Sequence, residues 1–244
     1  MEATQDIRQI KLSSLSEFFT DNGSPSFRAK QVFEWIWTHY QLDFKQMTTL
    51  TLKERELLIK NFHVNQAQIV SEKKSRDGTR KFLFQIDNKK TVEGVLIPQL
   101  NRLTACISSQ AGCSLACGFC ATGQLKLYRN LTCGEIYDQV FLLNNYATRN
   151  LGKPITNIVF MGMGEPLLNI NNVLKSIHHI TGKYGMGISG KRITVSTVGI
   201  TKIIRKIADE SPNFNLAISL HAASDKKRSE IMDINKTNDL NSLL

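Results

Sequence analysis

Three cysteines, Cys113, Cys117 and Cys120, stand in the run Cys-Ser-Leu-Ala-Cys-Gly-Phe-Cys. Thiolates this close in sequence can wrap one iron–sulfur cube. A [4Fe–4S] cluster normally takes four cysteines, one per iron. A run with three leaves one iron open for a small molecule, which is the layout of a catalytic cluster rather than one built only for electron transfer. A zinc knuckle completed by histidine does not fit, because the nearest histidines in sequence are His63 and His178 and no C-x2-C…H-x3-5-H pattern exists. A disulfide framework does not fit either: the cysteines number five, no secretory signal is visible, and a chain of 244 residues does not need stapling.

The elements around this run would have to position it. Up to about residue 95 the sequence reads as a small accessory domain. A short helix covers Leu15 to Asp21, and a second opens at Ser24-Pro25. The stripe Phe27, Val32, Phe33, Trp35 and Ile36 sits at helical spacing and reads as core rather than as a base-stacking platform. Thr51-Leu52-Lys53-Glu54 is a capping box opening a third helix. Strand-like runs near Ile69 to Lys74 and Lys81 to Ile86 flank the turn signal Asp77-Gly78, and Lys73, Lys74, Arg76, Arg80 and Lys81 crowd this hairpin.

From about Thr91 the pattern becomes strand–helix alternation, which argues for right-handed βαβ units and a parallel sheet. Strands are expected at Val92 to Ile97, Leu103 to Ser109, Ile155 to Met161, Ile193 to Val198 and Phe214 to Leu220. Helices are expected after the capping box Thr132-Cys133-Gly134-Glu135, through Val173 to Ile180 and through Ile203 to Ile207. Active sites in such sheets lie at the C-terminal ends of the strands. The cysteine loop, the run Gly162-Met163-Gly164-Glu165-Pro166, Ser196, and Ser219 with His221 each follow one of those ends. The expected organisation is therefore residues 1–95 as an accessory domain and 96–244 as a partial barrel, too short in strands to close.

The bulk numbers set the class. Lys plus Arg number 31 against 21 for Asp plus Glu, a net charge of +10, which suits a polyanionic partner such as RNA. The hydrophobic fraction of 41% fits a globular protein, and no apolar run approaches a membrane span, so a cytoplasmic protein without membrane attachment is expected.

Taken together, the motifs resemble the radical S-adenosylmethionine enzymes, and more narrowly the RlmN family of RNA methyltransferases. The landmarks are Phe-Arg-Ala-Lys-Gln-Val-Phe-Glu-Trp-Ile from Phe27, Val-Glu-Gly-Val-Leu-Ile-Pro from Val92 and Cys-Ile-Ser-Ser-Gln-Ala-Gly-Cys from Cys106. They continue with Phe-Met-Gly-Met-Gly-Glu-Pro-Leu-Leu-Asn from Phe160, Val-Ser-Thr-Val-Gly from Val195 and Ala-Ile-Ser-Leu-His-Ala from Ala217. The resemblance implies a radical S-adenosylmethionine barrel, partial here, behind an RNA-binding N-terminal domain. It implies methylation of adenine C2 in large-subunit (23S) ribosomal RNA and tRNA, with two S-adenosylmethionine molecules per turnover. A sister family methylates adenine C8 and usually carries Gly-Glu-Ala in the loop where this chain has Gly164-Glu165-Pro166.

By the same resemblance, Cys113, Cys117 and Cys120 hold the cluster, whose open iron chelates the amino and carboxylate groups of S-adenosylmethionine. Gly164 and Glu165 meet its amino group, and Ser196, Ser219, Leu220 and His221 contact the rest. One cofactor molecule methylates an enzyme cysteine. The second yields a 5′-deoxyadenosyl radical, which takes hydrogen from that methylcysteine so that the carbon adds to C2. Glu93 matches the base that removes the C2 proton, and Cys106 matches the thiol that releases the protein–RNA adduct as a disulfide. The methyl-carrying cysteine and a late asparagine of the family have no match before Leu244. A protein of these residues alone is expected to bind a cluster without completing methyl transfer. A reducing partner such as a flavodoxin is common in such families.

Without the resemblance, several of these residues fit plainer structural roles. Cys106 suits a buried structural thiol or a fourth cluster ligand. Glu93, in an apolar run, suits an edge-strand surface residue, since a carboxylate there is costly unless paired or functional. Ser196 and Ser219 suit strand-end capping, His221 a hydrogen-bonded loop residue, and Cys133 a small buried side chain. The whole chain could also be a C8 methyltransferase of the sister family, or a non-enzymatic iron–sulfur electron carrier or RNA-binding module.

Overall fold

The computed structural model describes residues 4–87, 90–210 and 212–243. Two compact units divide it, one formed by Met1–Gln66 with Ser176–Ile188 and the other by Ala67–Lys175 with Ser189–Leu244.

The first unit is helical. Helix α1 (Leu12–Asp21) is followed by α2 (Arg28–Phe33), which runs into a π-turn at Glu34–Thr38, and by α3 (Leu52–Asn61). The second helix starts later than its proline suggests, because Pro25 and Ser26 carry tight turn bonds to the N–H groups of Arg28 and Ala29 instead of the first α turn. The expected capping box forms at α3: Thr51 accepts from the Glu54 N–H while Glu54 accepts from the Thr51 N–H. Ile7, Leu15, Phe19, Val32, Ile36, Trp37 and Leu58 fill the core. Of the stripe expected to be core, Val32 and Ile36 are buried, Phe33 and Trp35 are partly exposed, and Phe27 at its start is 52% exposed.

The second unit is built on one seven-stranded sheet. Its strands are β1 (Gln68–Lys74), β2 (Arg80–Gln85), β3 (Thr91–Gln99), β4 (Arg102–Cys106), β5 (Asn157–Phe160), β6 (Ile193–Thr197) and β7 (Asn215–Ile218). They lie side by side in chain order. The first three pair antiparallel with their neighbours, and β4 to β7 run parallel. Each parallel strand is added on the same side of the last, through α4 (Cys133–Leu151), α5 (Ile170–Thr181) and α6 (Thr201–Asp209). Winding in one sense without reversal is how a β/α barrel begins, and it lacks the switch point of a doubly wound sheet. Two short helices, α7 (Asp225–Ile231) and α8 (Leu240–Leu243), follow β7.

A domain boundary near residue 95 does not match this arrangement. That position falls inside β3, and the basic hairpin β1–β2 extends the same sheet as the parallel strands. The reason lies in the alternation of the strands. Phe82, Phe84, Val92 and Leu96 point to the face that also buries Leu103, Ala105, Ile158, Phe160, Ile193 and Val195, so the hairpin shares one core with the parallel strands. Helix α4 covers this face. A Cβ at Gly94 would come within 2.7 Å of the Phe84 ring and 3.6 Å of Leu143. The opposite face carries Lys81, Glu93, Val95, Thr104, Cys106, Asn157, Val159, Thr194, Ser196 and Ala217, most of them partly exposed. Among the described residues no helix is long and apolar enough to cross a membrane.

Candidate functional site

The parallel strands deliver the site residues, and a buried polar platform holds them. After β4 the chain runs through Ser108, Ser109 and Gln110, each no more than 1% exposed. Gln139 of α4 clasps this segment, its Oε1 accepting from the Ser108 N–H at 2.9 Å and its Nε2 donating to the Ser108 carbonyl at 3.1 Å. Asn169 donates to the carbonyls of Ser109 and Leu131, both at 2.8 Å. The cysteine loop is built on this rigid base.

The loop turns sharply at Gly112 (φ +80°) and Ala116 (φ +48°). Its backbone is pinned by Cys113 N–H to the Leu125 carbonyl at 3.2 Å, Cys120 N–H to the Cys117 carbonyl at 3.0 Å and Gly118 N–H to the Ile231 carbonyl at 3.1 Å. All three thiols are free, and they line one cleft of about 280 Å³ together with Phe119, Gly162, Gly164, Glu165, Ser196, Ser219 and His221. Burial holds the Cys113 and Cys117 thiols above the ordinary thiol range, and neighbouring negative groups add to the effect. A bound cationic centre reverses that preference and holds them as thiolates.

The loop after β5 forms the opposite wall, and its glycines are steric requirements. Gly164 has φ +92°, and a Cβ there would lie 2.4 Å from the Gln110 Cβ. Glu165 is 3% exposed. Its Oε1 accepts from the Leu167 N–H and its Oε2 from the Val198 N–H, both at 3.0 Å. Burial raises its carboxyl above the usual range, and hydrogen bonds from Thr197, Val198 and Leu167 pull it back. Three donors on two oxygens leave the carboxylate one lone pair for a further donor. Ser196 and Ser219, on adjacent strand ends, have their hydroxyls 3.2 Å apart. His221 holds a left-handed backbone (φ +58°), which costs a non-glycine residue roughly 1–2 kcal/mol. Its ring lies 4.2 Å from that of Phe119.

Three of the expected residues lie elsewhere. Leu220 is 48% exposed and does not line the cleft, though its carbonyl accepts from Arg228. Glu93 and Cys106 stand on the open face of the sheet. Cys106 pairs with Val95, so Glu93, two residues along the same strand face, is its diagonal neighbour. Glu93 is not on an edge strand, since β3 lies between β2 and β4. It is paired, with Lys81 Nζ 2.9 Å from its Oε1. Cys106 is 8% exposed and stands outside the cleft that holds the other three thiols. Burial pushes its thiol up, partly offset by the Met161 N–H. Cys133 is buried in the first turn of α4.

Several supporting residues carry no motif of their own. Ser108 Oγ donates to the Glu93 carbonyl at 2.6 Å and accepts from the Met163 N–H at 2.8 Å, tying β3 to the Gly162–Glu165 loop. Arg228 is fully buried and donates to the carbonyls of Val198 and Leu220, which close β6 and β7. The signal for the first was an unbroken polar run, Ser108-Ser109-Gln110, between an apolar strand and the cysteines. The second gave none, because a basic residue in a polar helix ordinarily reads as solvent-facing.

The cleft suits an iron–sulfur cluster with an amino-acid ligand by its donor set. Three thiols stand on one wall, and a buried carboxylate beside a glycine that admits no side chain stands on the other. Among the described residues no three His, Cys, Asp or Glu side chains converge as a single metal ion requires. A cube with a thiolate at each of three corners makes no such demand.

Fold and site thus define a radical S-adenosylmethionine core. Residues 107–240 match the Radical SAM superfamily, and residues 5–64 match the ribosomal RNA large subunit methyltransferase N-terminal domain. The latter span ends beside the division at Gln66 rather than near residue 95. The chain is 52% identical over 237 residues to a probable dual-specificity RNA methyltransferase RlmN of Cytophaga hutchinsonii, covering 97% of this chain and 65% of that protein. A protein of the same description from Christiangramia forsetii is 46% identical, with 96% and 66% covered. One from Flavobacterium psychrophilum is also 46% identical, with 96% and 67% covered. The chain belongs to the RlmN family, and it spans about two thirds of the length of these relatives. The crystal structure of a radical SAM methyltransferase from Sphaerobacter thermophilus superposes with a TM-score of 0.86 at 36% identity, over 98% of this chain and 70% of that one.

Proposed function

We propose that the protein to which this chain belongs is a radical S-adenosylmethionine methyltransferase that methylates C2 of adenine in 23S ribosomal RNA and tRNA. The observation that carries the proposal is the pairing of two sites on one sheet. A cluster-and-cofactor cleft occupies the strand ends, and a carboxylate and a thiol, Glu93 and Cys106, stand as diagonal neighbours on the adjoining face.

Cys113, Cys117 and Cys120 would hold a [4Fe–4S] cluster. Gly164, Glu165, Ser196, Ser219 and His221 would seat S-adenosylmethionine, with Leu220 contributing through its backbone. Cluster and cofactor, when bound, supply a methyl carbon and the radical chemistry needed to attach it at a carbon that is not nucleophilic. The residues of this chain do the rest. The buried Ser108–Gln110 platform fixes the cluster loop and keeps water from its backbone. Gly164 lets the main chain approach the cofactor amino group, and Glu165 offers it a fixed negative partner. Glu93 accepts the C2 proton, and Cys106 takes up the bond that releases the RNA.

Burial suits the role of Cys106, because a thiol kept protonated until it is needed does not react early. The basic hairpin, with Lys73, Lys74 and Arg76 beside its turn, supports a role in holding RNA phosphates, as does the N-terminal unit by its family. The target adenine would be unstacked in a loop or junction. A flavodoxin-type reductant would serve the cluster, and the cytoplasm is the fitting compartment.

The test uses the full-length protein, reduced and cluster-loaded, with S-adenosylmethionine and 23S ribosomal RNA or tRNA. Nucleoside mass spectrometry should find 2-methyladenosine together with 5′-deoxyadenosine. Methyl at C8 would assign the protein to the sister activity, and absence of both products would leave an electron carrier or RNA-binding module.

A further inference from the structure

The ion pair between Lys81 and Glu93 has no evident structural purpose. Both side chains are about half exposed, at 51% and 45%, and exposed pairs of this kind add little to stability. Its place on the sheet is more telling. Lys81 lies opposite Val95, and Val95 lies opposite Cys106, so the three form one cross-strand row. Glu93 stands one step along the same face, towards the strand ends that carry the cofactor cleft.

The backbone of Glu93 is fixed from both sides. Its N–H points to the Met163 sulfur at 3.4 Å, and its carbonyl accepts from Ser108 Oγ at 2.6 Å. What remains free is the side chain, and Lys81 engages it. Nζ donates to Oε1 at 2.9 Å, and among the described residues Oε2 has no hydrogen-bond partner.

We propose that Lys81 is a positioning residue for the proposed base: it holds Oε1 of Glu93 and leaves Oε2 aimed across the open face to receive the adenine C2 proton. The proposal rests on the reading of Glu93 as that base. In the step concerned, the C2–H bond of the adduct breaks, its proton passes to Oε2, and its electron pair stays in the adenine ring. Glu93 becomes neutral and the Lys81 cation remains. A carboxylate left to rotate would spend much of its time out of reach of C2, and small misplacements of this kind cost catalysis heavily.

The test compares Lys81→Met, Lys81→Arg and Glu93→Gln in the full-length, cluster-loaded protein. Three readouts are taken over a single turnover: 2-methyladenosine, 5′-deoxyadenosine, and covalent protein–RNA adduct on a denaturing gel. Lys81→Met should form 5′-deoxyadenosine normally, lose roughly tenfold in methylated product and accumulate adduct. Lys81→Arg should recover most of the product, since it restores the cation. A Lys81→Met protein with wild-type product and no extra adduct would overturn the proposal, and so would parallel loss of 5′-deoxyadenosine. Glu93→Gln separates the two layers. If it stalls at the adduct while Lys81→Met does not, only the role of Lys81 falls. If it turns over normally, Glu93 is not the base and both readings fall.

Discussion

Replacing Gly164 by alanine tests the cofactor wall most sharply, because the molecule supplies its own control. Gly152 also has a left-handed backbone, at φ +70°, but a Cβ there meets nothing within 4 Å. Gly152→Ala therefore pays only for the backbone conformation, about 1–2 kcal/mol. At Gly164 the new methyl would sit 2.4 Å from the Gln110 Cβ and 2.7 Å from its Cγ. Gln110 cannot retreat easily, since its Oε1 accepts from the Glu165 N–H at 2.8 Å and its Nε2 donates to Asn130 at 2.7 Å. Overpacking of this kind adds about 1–3 kcal/mol. Gly164→Ala should therefore fall below Gly152→Ala by that difference, which for a chain of this size is about 2–12 °C in melting temperature. Thermal melts of the two variants beside the parent measure it. Equilibrium dialysis with S-adenosylmethionine then reads function: Gly152→Ala should bind like the parent, and Gly164→Ala at least tenfold more weakly. Equal melting temperatures and equal affinities would refute the packing argument and the cofactor wall together.

Other expectations follow from the same geometry. Serine at Cys113, Cys117 or Cys120 should abolish the visible absorbance of the reconstituted cluster while leaving the far-ultraviolet circular dichroism of the sheet unchanged. The Cys106 thiol is raised above its ordinary value by burial, so less of it is thiolate at neutral pH than in a free cysteine. Its alkylation should be slow at pH 7 and climb only as pH passes above the ordinary thiol range; fast labelling at neutral pH would contradict its burial. Removing Lys73, Lys74 and Arg76 together should lower the slope of log affinity against log salt for a structured RNA by about 2–3, if each meets one phosphate. An unchanged slope would take the hairpin out of the RNA interface. Thr132→Ala should cost about 1 kcal/mol in urea unfolding, by removing the cap of α4.

The sequence made the chemistry easier to see than the architecture around it. Capping boxes at Thr51 and Thr132 were readable because two side chains and two backbone groups satisfy one another within four residues, with no help from the fold. The parallel strands were readable because their apolar runs are bounded by polar loops. What escaped depends on distant partners. The hairpin looked separable from the strands that follow, yet Phe82 and Phe84 bury on the same face as Ile158 and Val195, a fact that only strand order reveals. Glu93 looked exposed on an edge or costly within a core. It is half exposed on an interior strand and paired with Lys81, twelve residues away and one strand over. Arg228 reads as an ordinary surface cation until the carbonyls of Val198 and Leu220 are brought to it.

The measurement that tests the central claim most directly follows the methyl hydrogens. The full-length protein is given S-adenosylmethionine with a fully deuterated methyl group, and 2-methyladenosine is isolated from the RNA. If the carbon passes through an enzyme cysteine, loses one hydrogen to the radical and is released after proton exchange at Glu93 and Cys106, the product methyl should carry two deuterium atoms, with one deuterium in 5′-deoxyadenosine. A product methyl with all three deuterium atoms would mean direct transfer, and would contradict the account built on this cleft and its neighbouring carboxylate and thiol.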